Sequence, residues 1–148
     1  MSKLDDISWH FGSDEFPPGL PEENAATHIG FFVAWAIRYD CWGDFLGANA
    51  AANVAAVKDG LLSGRTLVLE QCDGKLLTEM LKADIIPFAA SYYEKQYLSD
   101  YQRVLVTGLQ SDYHVDDSEA NYQKMASVIG QRHEKWLART KKPKWKFW

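Results

Sequence analysis

The chain has 148 residues, 47% of them hydrophobic, with six Trp, seven Tyr, seven Phe and a net charge of −4. That length suits one domain able to bury a core without staples, and the apolar fraction excludes a disordered chain. The acidic balance argues against a nucleic-acid-binding surface, which needs positive charge, and suits docking onto a basic protein partner.

Residues 1–23 read as an irregular arm, because Pro17, Pro18, Gly19 and Pro21 oppose regular helix. Its apolar side chains Ile7, Trp9, Phe11, Phe16 and Leu20 predict an arm packed across the domain. The first helix is expected over Asn24–Tyr39, with Asn24 as N-cap and Glu22 and Glu23 complementing the helix dipole. Ile29, Phe31, Phe32, Val33, Trp35, Ala36 and Ile37 cover most of its circumference, and Thr27, Gly30 and Ala34 leave a small-residue face. A helix apolar nearly all round is a buried one. Ala48–Asp59 is Ala-rich, helical and stopped by Gly60. Ser63 is placed to cap a short helix over Arg65–Cys72, which Asp73-Gly74 ends, and Thr78–Lys82 reads as one more turn.

Asp84-Ile85-Ile86-Pro87 opens a further helix with Pro87 in its tolerated first turn. It runs to about Val106, bends near Ser99-Asp100 or gives way to a short strand at Leu105-Val106, and ends at Gly108. The last helix runs from Asp116 to Thr140, since Asp116 and Glu119 have capping-box spacing and Tyr122, Met125, Ala126, Ile129, His133, Trp136 and Leu137 share a face. Residues 141–148 form a basic aromatic tail. Arg139–Trp148 holds five cations and no acid, so the first 138 residues carry −9 against the total of −4. The expected fold is all-α: a mainly helical single domain spanning 1–148, with at most a minor strand element.

Cys41 and Cys72 form no metal or redox motif and read as buried thiols. The acidic start MSKLDDISWHFGSDEF lacks the apolar core of a signal peptide, and the run Ile29–Ile37 is too short to span a membrane. A cytoplasmic protein is expected. No phosphate loop, nucleophile elbow or paired-histidine metal motif is present, so no catalytic residue, metal or cofactor is assigned. The candidate binding residues are polar and aromatic. His28 lies in the buried helix beside Phe32 and Trp35, while Tyr93, Tyr97 and Tyr101 make a phenolic stripe at i, i+4 and i+8. His10 and His114 lie in irregular segments near carboxylates, Asp5, Asp6, Asp14 and Glu15 for one and Asp112, Asp116 and Asp117 for the other. They could meet as a His10–His114–carboxylate site, although capping is the usual task of Asp116 and Asp117. His133 reads as core packing.

Several strings carry a resemblance: D-I-S-W-H-F, F-P-P-G-L-P-E-E-N-A-A-T-H-I-G-F-F-V-A-W-A-I, S-G-R-T-L-V-L-E-Q-C-D-G-K-L, F-A-A-S-Y-Y-E-K-Q-Y-L-S-D-Y and Y-H-V-D-D-S-E-A-N-Y. From about residue 5 to 136 the chain resembles a family of small bacterial proteins known only as a domain of unknown function. Such families resemble toxin-immunity proteins in size and helix content. The resemblance implies a protein-binding module that neutralises a cognate, basic toxin domain. Trp9, His10, Glu23, Asn24, His28, Tyr93, Tyr97, Tyr101, His114, Asp116 and Asp117 are its candidate binding residues. The alternative is a small enzyme or ligand-binding protein using a His/Tyr/carboxylate cluster.

Overall fold

In the computed structural model, residues 2–140 are described; the expected tail at 141–148 lies outside them. The chain opens with a strand, β1 (Lys3–Asp6), and a single helical turn, α1 (Ser8–Phe11), so the arm is not wholly irregular as expected. The Asp6 carboxylate accepts from the Ser8 backbone N–H and hydroxyl, both at 2.9 Å, which starts the turn locally. The proline-rich stretch then follows without regular structure before a 3₁₀ turn at Glu22–Ala26.

The central helix α2 spans Thr27–Arg38, shorter at its start than the sequence suggests, and is buried from Thr27 through Ile37. Asn24 is not its N-cap. It sits inside the 3₁₀ turn, and its side-chain amide donates to the Tyr113 carbonyl at 3.0 Å. After a 3₁₀ turn at Ala48–Ala50 come α3 (Ala51–Lys58) and α4 (Gly64–Gln71). Ser63 caps α4 as expected, accepting from the Thr66 N–H at 3.1 Å.

Helices α2 and α4 cross almost backbone to backbone. A Cβ on Gly30 would lie 2.2 Å from the Arg65 nitrogen, and one on Gly64 would lie 1.9 Å from the Gly30 carbonyl oxygen. No side chain fits there, which accounts for the small-residue face read from the sequence.

Asp73 and Gly74 take positive φ, 54° and 70°, and turn the chain into β2 (Lys75–Leu77). β2 pairs antiparallel with β1, Lys3 opposite Leu77 and Asp5 opposite Leu76. Two residues on β1 therefore advance against one on β2, a bulge at Leu4. The bulge breaks the period-two alternation, so Leu4 and Asp5 are both buried. The small sheet leaves the protein mainly helical.

A helical run from Ile86 to Val106 follows, built as α5 (Ile86–Tyr92), a π turn (Tyr93–Tyr97), α6 (Leu98–Tyr101) and a second π turn (Gln102–Val106). Leu105 and Val106 are thus helical, not a strand. A 3₁₀ turn at Asp112–His114 leads to α7 (Glu119–Thr140). Asp116 does not cap α7: the Ser118 hydroxyl accepts from the Asn121 N–H at 3.2 Å, and Asp117 instead pairs with Arg65 at 3.3 Å. Phe31, Phe32 and Trp35 of α2 pack against Phe88, Tyr93, Tyr97, Tyr101 and Tyr122, which makes the core strongly aromatic. Cys41 and Cys72 are buried free thiols. Among the described residues no helix is long and apolar enough to cross a membrane.

Candidate functional site

The bulge in β1 aims the Asp5 carboxylate into the domain. There it meets His10 from α1 and His28 from the first turn of α2. His10 Nε2 lies 2.7 Å from Asp5 Oδ1, His28 Nε2 lies 3.0 Å from Oδ2, and the two Nε2 atoms are 3.2 Å apart. The rings meet edge to face, with centroids at 4.4 Å.

Asp5 and His10 are braced from outside the triad. The Asp6 backbone N–H donates to Asp5 Oδ1 at 2.8 Å, and the Tyr93 hydroxyl donates to Oδ2 at 2.5 Å. Nδ1 of His10 faces the Tyr113 hydroxyl at 3.0 Å, and Tyr113 is itself held by Asn24. Six separate elements supply these side chains. Local sequence does not force such convergence; the aromatic core that stacks Tyr93 on Tyr97 and places α2 beneath them does.

Burial opposes the charge on Asp5, but the hydrogen bonds from His10 and His28 and their electrostatic attraction outweigh it and hold the carboxyl well below the usual range. Burial, reinforced by the Asp5 charge, pushes the Tyr93 phenol well above its ordinary value. Tyr113 is raised to about 12 by burial and by nearby Asp112 and Glu15. Both phenols are therefore neutral hydrogen-bonding groups at physiological pH.

The cluster floors an open pocket of about 330 Å³, walled by Lys3, Trp9, Glu94 and Leu98 among others. His10 is the triad member nearest solvent, its side chain 19% exposed against 5% for His28 and 6% for Asp5. Trp9 stands at the rim with the Lys3 ammonium 5.6 Å from its ring centre.

Of the residues singled out from sequence, the structure gathers Trp9, His10, Asn24, His28 and Tyr93 around this point. Tyr97 contributes indirectly, donating to the His28 carbonyl at 2.5 Å. Tyr101 is buried behind it, and its hydroxyl has no hydrogen-bond partner among the described residues. The phenolic stripe is thus core and not an exposed binding face. His114 does not pair with His10; its Nδ1 bonds the Ser111 hydroxyl at 2.7 Å. Glu23 and Asp116 are exposed, and Asp117 is engaged by Arg65, so none of the three joins the cluster. Tyr113 is the member that sequence reasoning passed over, and Asp5 was named only as one of four carboxylates near His10. Tyr113 sits one position from the histidine chosen in its place.

The family described as a domain of unknown function, DUF7832, matches residues 3–115. The chain belongs to that family. The DUF7832 match contains every member of the cluster from Asp5 to Tyr113 and ends inside the Tyr113–Tyr122 string, before α7. No curated protein and no solved structure matches the chain.

Proposed function

We propose that this protein is a ligand-binding protein or small enzyme whose working site is the pocket above Asp5, His10 and His28. One observation carries the reading. Three ionisable side chains from three separate elements converge on one point, and that point opens to a pocket. Burying a carboxylate is expensive unless it is fully paired, and a packed core of Phe and Leu gives stability without it. Ionisable groups concentrated in a cleft are the physical mark of a functional site. The test is amide chemical-shift mapping with a library of small polar fragments. Shifts are expected to gather on Trp9, His10, Glu94 and Leu98. Shifts gathered on another pocket, or none at all, would remove the reading.

A second reading, the immunity-type binding module, is favoured by the rim of the same pocket. Trp9 and Leu98 are 54% and 43% exposed there, on a chain of net charge −4. An aromatic anchor in an acidic setting suits the occlusion of a basic toxin domain. Growth protection against a co-expressed toxin from the neighbouring gene, lost on Trp9→Ala, supports this reading; absence of protection and of co-purification counts against it.

A further inference from the structure

The way the cluster is turned in on itself says what kind of ligand it takes. Both ring nitrogens of His10 are engaged, Nδ1 by Tyr113 and Nε2 by Asp5 and His28. All four hydrogen bonds to the Asp5 carboxylate come from within the protein. A neutral polar molecule entering the pocket finds both His10 nitrogens and the Asp5 carboxylate already engaged. The Nε2 atoms of both imidazoles and the Asp5 carboxylate are nonetheless gathered together, all three ligand atoms within 4.8 Å of one another. A cation between them is the species that can use all three at once.

We propose that Asp5, His10 and His28 form a divalent transition-metal site, and that zinc is the ion it takes. This rests on the pocket above being the working site, and it names the first ligand of that pocket. Two imidazoles with one carboxylate select zinc or iron over magnesium or calcium, which prefer all-oxygen sites. The spacing agrees with the donor set. Zinc–nitrogen bonds of about 2.0–2.1 Å at a tetrahedral angle put two ligating nitrogens about 3.3 Å apart. The Nε2 atoms here are 3.2 Å apart. Asp5 Oδ1 lies 2.7 Å from His10 Nε2 and Oδ2 lies 3.0 Å from His28 Nε2, each a few tenths of an ångström short of that separation.

Each imidazole binds the ion in its neutral form, with one proton on Nδ1 and the Nε2 lone pair on the metal, and any second proton leaves to solvent. For His10 the Tyr113 hydroxyl then accepts from Nδ1–H instead of donating to it. Tyr113 on His10, with the Asp6 N–H and Tyr93 on Asp5, is the outer bracing that fixes ligand orientation in metal sites. Three protein ligands leave a fourth position toward the pocket. That is the arrangement of catalytic zinc sites, in which a metal-bound water is made acidic enough to act as a nucleophile near neutral pH.

The experiment uses untagged full-length protein stripped with chelator and titrated with Co²⁺ alone as the spectroscopic stand-in for zinc. One equivalent per chain is expected, with the intense visible d–d absorption of a low-coordinate cobalt centre, displaced by Zn²⁺. His10→Ala should lose this absorption and His114→Ala should keep it. Tyr113→Phe should weaken affinity by about 10-fold, as loss of an outer partner does. In case His10→Ala does not fold, the wild-type protein decides. On adding Zn²⁺, the imidazole ¹⁵N resonances of His10 and His28 Nε2 should move while those of His114 stay. No stoichiometric cobalt spectrum, or ¹⁵N shifts confined to other histidines, overturns the metal site. If fragments still map to the pocket in that case, the pocket reading stands and only the metal falls. If the metal binds but fragments map elsewhere, the site is a metal site and the pocket reading falls.

Discussion

Asp5 is 4% exposed and accepts from two imidazoles, a phenol and a backbone N–H. Asp5→Ala removes the acceptor from Tyr93 and His28, both buried, and leaves their donors without water to replace it. Deleting one partner of such a buried network typically costs about 3–5 kcal/mol. Urea denaturation of Asp5→Ala is expected to show a loss in that range, with a smaller loss for Asp5→Asn, which keeps one acceptor oxygen. A loss below about 1 kcal/mol would mean that the network contributes little to stability. Nothing in the sequence distinguished Asp5 from Asp6, Asp14 and Glu15, because its inward aim comes from the bulge at Leu4, a property of strand pairing. The cysteines were easier to read: two isolated thiols in no metal or redox motif. Burial raises Cys72 to about 12. At about pH 8 the native protein should therefore resist iodoacetamide at Cys72, because the thiolate is the reacting species. Mass spectrometry should find it labelled rapidly only in denaturant.

The helix pair α2 and α4 sets the floor on which the cluster stands, since His28 lies two residues from Gly30, where α2 meets Gly64 of α4. At that crossing both neighbours are backbone, and backbone cannot rotate aside as a side chain can. Gly30→Ala should thus force α4 away from α2. Overpacking in cores typically costs about 1–3 kcal/mol, and a backbone clash on both sides should place this variant at or beyond the upper end. Thermal melts followed by circular dichroism check it, and the same variant should weaken any binding at His28 through displacement of the helix. A melt within a degree or two of wild type would show that the pair separates freely. The two helices were legible because their signals are local: apolar residues all round α2, small residues on one face, Ser63 before α4. The start of α2 was misread because Asn24 has the right chemistry for a cap, yet the chain enters through a 3₁₀ turn and sends the Asn24 amide to Tyr113. The π turns at 93–97 and 102–106 left no trace in periodicity either. An i, i+4, i+8 tyrosine series looks the same in α and π geometry, and tertiary packing selects between them.

At the scale of the whole molecule, the long run Ile86–Val106 is fastened to α7 by one buried charge. Asp100 is 2% exposed, and its carboxylate accepts from Arg132 at 2.9 and 3.0 Å, from Tyr92 at 2.8 Å and from Arg103 at 3.3 Å. Burial works against that charge, but the bonds from Arg132, Tyr92 and Arg103 outweigh it, so the carboxyl titrates below its ordinary range. The folded protein therefore binds fewer protons than the unfolded chain once the pH enters the ordinary aspartate range. Stability from this group is complete above that range and is lost as the pH falls through the depressed folded value. Glu119, lowered to about 2 chiefly by its hydrogen bond from Arg38, acts in the same direction. Wild-type stability should thus decline steeply in acid, and Asp100→Asn should lower stability at neutral pH by about 1.5–3 kcal/mol while flattening the acid decline. Urea midpoints collected from neutral pH down to about pH 3 separate the two effects. Parallel curves for wild type and Asp100→Asn would place the acid sensitivity in other depressed carboxylates, Asp5 and Glu119 among them, and leave the attachment of α7 to its apolar stripe of Tyr122, Met125, Ala126 and Ile129.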